Sequence, residues 1–339
     1  MPQPTVAAVH VQAALSVIAA AYVQDAKNYI ADDVFPNVPV EHQADKYFVF
    51  SKDDFFRDEA QQRADTDESA GGGFNLGTGS YFANVWAYHM DLGDQTRRNA
   101  DPAVDMDIAT TKFCMQKMLI RKDRFFTTQY LKTGLWSVDN VGTLGGTPGS
   151  MTPAYWNDDA NGDPFTDIAT GQTSILQNTG FEANTFVQTY PVYQALRKHP
   201  LVVDRIKYTT RADASRITPE LLAGAFDVDR VVVSKAVYNS AVESAAAVAT
   251  TASGTYSFIS GKNAWLGHVA PEPGIMIPSA GYVFSWSGLA NGLNSMGIRV
   301  SQIPMPWKGL GTVRTEAEMA FDMEAIGTDL GVYFSGIVQ

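Results

Sequence analysis

Cysteine is nearly absent: Cys114 stands alone among 339 residues. One thiol excludes an intramolecular disulfide and a cysteine-built metal cluster, and it suits a reducing compartment. Long apolar runs are missing too. The stretch Ala13 to Ala21 is far shorter than the roughly twenty residues that cross a bilayer, and no Lys or Arg precedes it as a signal peptide requires. It reads as a surface or interface helix, with Leu15, Ile18 and Tyr22 on one face. Positive charge is scarce: 25 Lys and Arg face 36 Asp and Glu, for a formal net charge of -11, and Lys and Arg never run longer than two. Such a surface repels nucleic-acid phosphates unless folding gathers a basic patch, which argues against sequence-specific DNA binding.

Catalytic signatures are equally scarce. The glycine-rich segment Gly71 to Ser80 lacks the Lys-Ser/Thr of a phosphate-binding loop, and Tyr81 onward reads as extended chain where a helix N-terminus would be needed. It is expected to be a flexible hairpin tip. Asn157 to Gly162 matches the first half of a calcium loop, but position twelve is Ile168, so the coordination sphere stays open and an Asx-rich turn is expected. The five histidines, His10, His42, His89, His199 and His268, are not spaced as metal ligands on one helix. His199, before Pro200, reads as a helix C-terminal cap. Cys114 reads as a small core hydrophobe. Glu316 and Glu318 share one face of an expected strand, where a solvated or ion-paired face is the ordinary outcome. A G-x-S-x-G nucleophile elbow is missing. No catalytic, cofactor-binding or metal-binding residue is assigned.

What is present builds a core, since 45% of residues are hydrophobic. Asp32 to Val40 carries two prolines and reads as an extended arm. Tyr47 to Phe56 and Tyr81 to Met90 read as the strands of a long two-stranded flap around the polar segment 57–80, a hairpin that is marginal in water without a surface to lie on. Asn99-Ala100-Asp101-Pro102 opens a helix in which Val104, Ile108, Met115, Met118, Leu119, Phe125, Phe126 and Tyr130 recur at threes and fours, a rod of about 45 Å. Gly134 stops it. Residues 139–182, rich in Gly, Asn, Asp, Thr and Pro, read as a long loop or hairpin with little core of its own. From 185 to 240 helix and strand alternate, and from Tyr256 onward the pattern is β.

Several strings occur in a telling order. They are Pro191-Val192-Tyr193-Gln194-Ala195-Leu196-Arg197-Lys198-His199-Pro200, Asp204-Arg205-Ile206-Lys207-Tyr208-Thr209, Val237-Tyr238-Asn239-Ser240-Ala241, Pro278-Ser279-Ala280-Gly281-Tyr282-Val283-Phe284 and Asp329-Leu330-Gly331-Val332-Tyr333-Phe334. With the order of arm, flap, long helix, α/β part and β-rich end, they resemble the tailed-bacteriophage major capsid proteins of the Hong Kong 97-type fold. The resemblance implies an α+β chain with an N-terminal arm at 1–45 and an extended β-hairpin loop at 46–92. A peripheral domain at 93–184 would hold a spine helix at about 101–131. A mixed α/β axial domain would fill 185–290, with strands at 291–339 returning to the peripheral domain.

The implied function is structural: a capsid protein whose hexamers and pentamers close an icosahedral shell around double-stranded DNA in the virion, assembled in the bacterial host cytoplasm. Its acidic balance suits a container that must not stick to its contents. The implied partners are copies of itself, a portal at one vertex, possible decoration proteins and packaged DNA; no membrane is involved. With the helix beginning near 101, no room is left for a fused scaffold, so a separate scaffolding protein is expected. Lys46 and Lys52 lie at the flap's base and 57–80 holds no Lys, which argues against a flap crosslink. Val34, Phe35, Val38, Phe55, Phe56, Tyr81, Phe82 and Trp86 are the inter-subunit contact candidates, and Phe35, Phe56 and Trp86 are expected to become rigid only against other copies. An encapsulin-like nanocompartment, and an enzyme or carbohydrate-binding β-protein using the 139–182 loop, are the alternatives.

Overall fold

A twelve-residue strand, Val313–Glu324, organises one half of the molecule. The computed structural model describes residues 24–100, 105–209, 217–241, 255–274, 276–289, 298–309 and 311–339. The apolar stretch with Leu15, Ile18 and Tyr22, and the Asp101-Pro102 helix start, lie outside them. Along one edge the long strand pairs antiparallel with Tyr282–Trp286 and Ile298–Pro304, and along the other with Asn84–Leu92. The arm strand Asn37–Val40 adds in parallel beside Tyr282–Trp286, completing a five-stranded sheet. Its alternation holds except at Ala320, which is also buried: Thr315, Ala317, Met319, Phe321 and Met323 are buried, while Glu316, Glu318, Asp322 and Glu324 are half-exposed.

The buried face of this sheet carries the long helix, Met106–Tyr130. At about 1.5 Å per residue it is a rod of about 37 Å. Asp105 caps it, accepting from the Asp107 and Ile108 amides at 3.0 and 3.1 Å. The start therefore falls at Asp105, four residues beyond the expected capping Asp. At the other end the Trp136 indole donates to the Tyr130 carbonyl at 2.7 Å, satisfying a terminal acceptor. Its buried residues fall on one i,i+4 row, Met106, Thr110, Cys114, Met118, Lys122 and Phe126, joined by Asp123.

The second five-stranded sheet runs in the order Val138–Val141, Gly331–Ser335, Ala264–Gly267, Thr185–Thr189, Arg230–Ser234. The last two strands are parallel, and helices Tyr190–Leu196, Pro200–Thr209 and Pro219–Phe226 lie between them in sequence, as a parallel pair requires. Thr185–Thr189 and Ala264–Gly267 are buried along their whole length, so both faces of this sheet are covered. One core cluster runs through both halves, with Phe35 against Trp136 and Trp136 against Trp265.

Four expectations need correction. The loop expected at 139–182 contains a sixteen-residue helix, Pro164–Thr179, capped by Asp163, begun with Pro164 and ended by Gly180 at φ 73°. Those start and stop signals were legible; the Gly-, Asn- and Asp-rich run before them masked the periodicity. The flap is shorter than 46–92: Ala44–Phe50 pairs with Leu76–Phe82, whereas Asn84–Leu92, with Trp86, belongs to the first sheet. The closing strand Gly331–Ser335 joins the second sheet and does not return to the first. Tyr282–Trp286, expected in the axial part, lies in the first sheet, so the expected bounds cut across both sheets.

Candidate assembly surface

The flap grows from the face of the first sheet opposite the long helix. Phe284 lies opposite Asp322 on that face, and the Tyr47 and Tyr81 rings stack on Phe284 with centroids 5.4 and 4.6 Å away. The Phe82 amide donates to Asp322 at 2.8 Å. Gly79 makes the close approach possible, because a Cβ there would lie 2.3 Å from the Tyr47 ring. Alternation then decides the outward side. Tyr47 and Tyr81 turn toward the body, while Phe48 and Phe82 turn away.

Beyond Phe50 a short helical turn, Lys52–Phe55, begins the tip. Phe50, Phe55 and Phe74 form a small aromatic cluster with centroids 5.5 to 6.3 Å apart. Asp54 closes the loop by accepting from the Asn75 amide and side chain at 2.8 and 3.0 Å, and that backbone bond draws its pKa down. Lys52 ion-pairs with Asp329 of the body. Residues 56–78 are exposed throughout.

The eight sequence-derived contact candidates separate sharply. Phe55, Phe56 and Phe82 are 51%, 62% and 53% exposed, and Val38 is half-buried. Val34 and Phe35 are 0% exposed: Phe35 sits edge-on against Phe126 and Tyr130 inside its own subunit, with centroids 5.2 and 4.9 Å away. Tyr81 is sealed under the flap. Trp86 is half-buried beneath the Arg121 guanidinium, 4.0 Å from its ring, and beside Phe125 and Phe321. Val34, Phe35 and Tyr81 therefore leave the candidate list, and Phe35 and Trp86 do not wait for another copy to be packed. The aromatic composition of the arm was legible, but not that its first turn fills the subunit's own core. Sequence reasoning missed Phe48, Phe74 and Leu76 on the flap, and Trp307, 72% exposed on the turn Pro306–Lys308. The Pro-Met-Pro-Trp-Lys-Gly string at 304–309 was the available signal for that turn.

The arm is held by a buried carboxylate. Asp123 Oδ1 accepts from the Ile30 and Ala31 amides at 2.9 and 3.1 Å, at the start of the turn Ala31–Val34, and Lys122 pairs with Asp32 at 2.5 Å. Burial, with lesser contributions from Asp32 and Asp33, pushes the Asp123 pKa up to about 7 against the two amide bonds. Among the described residues its Oδ2 has no hydrogen-bond partner, and it borders a cavity of about 270 Å³ with Lys122, Asp32 and Asp33.

The remaining chemical candidates are structural in their contacts. Asp158 accepts from the Ala160 and Asn161 amides, an Asx turn. Cys114 is buried, its thiol aimed at the Thr315 carbonyl, and burial raises its pKa to about 11. His199 is sealed in the core, and among the described residues neither ring nitrogen has a partner. Glu316 and Glu318 lie across from His89 and Arg299 in the ladder. Among the described residues, no three His, Cys, Asp or Glu are grouped to hold a metal, and no helix is long and apolar enough to cross a membrane.

Two sheets, a long helix laid across one of them and a hairpin projecting from its far face can be compared with known proteins. A phage-related protein from Bordetella bronchiseptica RB50 superposes with a TM-score of 0.65 at 22% identity, over 93% of each chain. The capsid structure of Cyanophage P-SCSP1u matches with a TM-score of 0.58 at 10% identity, over 94% of this chain and 90% of the other. The fold is the Hong Kong 97-type capsid fold. In its terms the arm is the N-terminal arm, the flap the extended loop and Met106–Tyr130 the spine helix. A curated relative, the major capsid protein of Burkholderia phage BcepMu, is 22% identical over 212 residues, 62% of this chain. That alignment spans 64% of the relative's own length. No family model matches the chain.

Proposed function

We propose that the chain is the major capsid protein of a tailed bacteriophage, which self-assembles through hexamers and pentamers into an icosahedral shell around double-stranded DNA. One observation carries this reading: among the described residues the extended loop leaves Phe48, Phe55, Phe56, Phe74 and Phe82 between 51% and 66% exposed. So many exposed aromatic rings on one projecting hairpin mark a site for a partner. Many modest loop-to-body interfaces sum to a stable cage, and rotational closure gives rings of like subunits. The kinship with a phage major capsid protein and the capsid fold support the same conclusion.

The role is structural and not enzymatic, in keeping with the contacts of Cys114, His199 and Asp158. The molecule resides in the virion and is assembled in the host cytoplasm. Its partners are further copies, a separate scaffolding protein, a portal at one vertex and, on the finished shell, decoration proteins. The first sheet with the spine helix forms the peripheral domain and the second sheet the axial domain. Lys52 is engaged with Asp329, and no lysine lies in 57–80, so the extended loop forms no covalent crosslink.

Negative-stain microscopy of the purified chain, with and without co-expressed scaffold, tests the reading. Closed shells with nucleic-acid absorbance are expected from phage-producing cells. Shells filled with copurifying protein would identify a nanocompartment, and a particle below a few hundred kilodaltons would sink the shell reading.

A further inference from the structure

The strand Asn84–Leu92 has a neighbour on one edge only. It pairs along its length with Val313–Glu324, and among the described residues no strand lies on its other side. Nine residues at about 3.4 Å each make an open edge about 30 Å long. An open edge presents N–H and C=O groups to any passing strand, and proteins blunt it with proline, charge or short length, or cover it. The other outer strands of the two five-stranded sheets follow that rule. Asn37–Val40 carries Pro39, Ile298–Pro304 carries Arg299 and ends in a proline, and Arg230–Ser234 is short and followed by Lys235. Val138–Val141 is covered, its Val141 amide donating to the Met151 carbonyl at 2.9 Å.

Asn84–Leu92 has none of these devices. It contains no proline, glycine or lysine, and its one acid, Asp91, is already held by Arg314 at 2.7 Å and Lys308 at 2.6 Å. Trp86 and Tyr88 pack toward the long helix, against Phe125 and Phe113, while Val85 and Ala87 are exposed on the opposite face. Charge on that opposite face is graded along the strand. Two cations against Asp91 leave one positive charge at the Leu92 end. Toward the Asn84 end lie the carboxylates of Glu318, opposite Ala87, and of Asp322, one residue beyond the Asn84–Phe321 pair.

We infer that this edge is a docking surface for the same strand of a second copy, paired antiparallel across a two-fold axis so that the first sheets of the two subunits become one. The role of the contact, joining one ring of subunits to the next, rests on the shell reading. Antiparallel pairing sets the positive end of each strand toward the carboxylate end of its copy, twice over, whereas parallel pairing would set like against like. A two-fold contact closes on itself, so it links two rings without competing with the contacts that build each ring. The rival occupant is the flap strand Leu76–Phe82 of a second copy. Gly77 and Gly79 interrupt that strand, which weakens its pairing.

Two measurements on the full chain test this. In residue-resolved amide exchange of the dilute monomer, alternate amides of 84–92 should exchange freely while those between them are protected, because a ladder turns alternate residues to each edge. On association the free set should slow by at least about tenfold. The second measurement is disulfide trapping with A87C/H89C, since overlap of the whole strand with its copy sets Ala87 opposite His89 and the native Cys114 is buried. Mild oxidation should join the chains as a species of twice the subunit mass in non-reducing electrophoresis. A mixture of T78C and A87C chains probes the flap as occupant. The inference is overturned if the free set is already protected in the monomer or stays fast on association, if A87C/H89C gives no dimer, or if T78C and A87C chains link in its place. Dimers trapped in a chain that never forms shells would keep the contact and remove the shell reading, whereas shells without the trapped dimer would keep the shell reading and remove the contact.

Discussion

Phe35 in the arm and Phe56 in the flap are the same residue type, and their surroundings give them opposite roles. Phe35→Ala opens a cavity among Phe126, Tyr130 and Trp136 and should cost about 3–5 kcal/mol in chemical denaturation of the unassembled chain. Phe56→Ala removes an exposed ring and should leave that stability within about 0.5 kcal/mol while reducing shell yield by microscopy. Asp123 adds a pH dependence. Its folded pKa of about 7 lies above the value of an unfolded Asp, so the folded chain holds this proton more tightly. The associated stability is fully present below about pH 4 and is lost as pH rises through about 7. Denaturation at pH 5 and pH 8 should therefore show wild type losing up to a few kcal/mol relative to Asp123→Asn; equal pH dependence of the two would remove the buried-carboxylate account. At Asp91 the direction is reversed, since Arg314 and Lys308 hold its carboxyl well below the usual range.

At the scale of elements, the extended loop is a hairpin anchored at its base and uncovered at its tip. Two stacked tyrosines and one amide-to-carboxylate bond hold the base, and the Lys52–Asp329 pair adds little, since both partners are substantially solvent-exposed. Replacing 51–75 by a two-residue Asn-Gly turn between the paired residues Phe50 and Leu76 should leave the thermal midpoint of the body nearly unchanged and abolish shells. Amide hydrogen exchange gives an independent readout: residues 57–74 should exchange freely in the unassembled chain and slow markedly in shells. Unchanged exchange after assembly would show that the loop tip is not an interface. The spine helix behaves differently, because its ends are capped and one row is buried along its whole length.

For the whole molecule, the two sheets share one core, and the flap with its exposed rings lies on the side of the first sheet away from the long helix, beside the half-exposed Asp322 and Glu324. A shell built from such subunits gains stability from each loop-to-body contact, so assembled particles should melt above the free chain in calorimetry. Phe56→Ala combined with Phe82→Ala should narrow that gap without moving the midpoint of the free chain. Disrupted particles should run as a single subunit-mass band in denaturing electrophoresis, and a ladder would contradict the absence of a crosslink.

Local pattern was enough for much of the architecture. The apolar periodicity of the long helix, the β-branched run at 230–234, the aromatic strands flanking a Gly-rich tip and the order of these elements are properties of short windows of chain, where backbone preference and side-chain spacing act directly. The helix at 164–179 was equally local, signalled by Asp163-Pro164 and Gly180, and was hidden by the composition before it. Three things were not local. Which strands share a sheet depends on pairings up to hundreds of residues apart, such as Asn37 beside Val283. Whether an apolar side chain is core or interface depends on what the rest of the chain places over it: Phe126, Tyr130 and Trp136 cover Phe35, whereas Phe82 is left 53% exposed by the described residues. Where the buried carboxylate of Asp123 finds its donors depends on the Ile30 and Ala31 amides, more than ninety residues away in the sequence, because helix and arm meet only when the chain is folded.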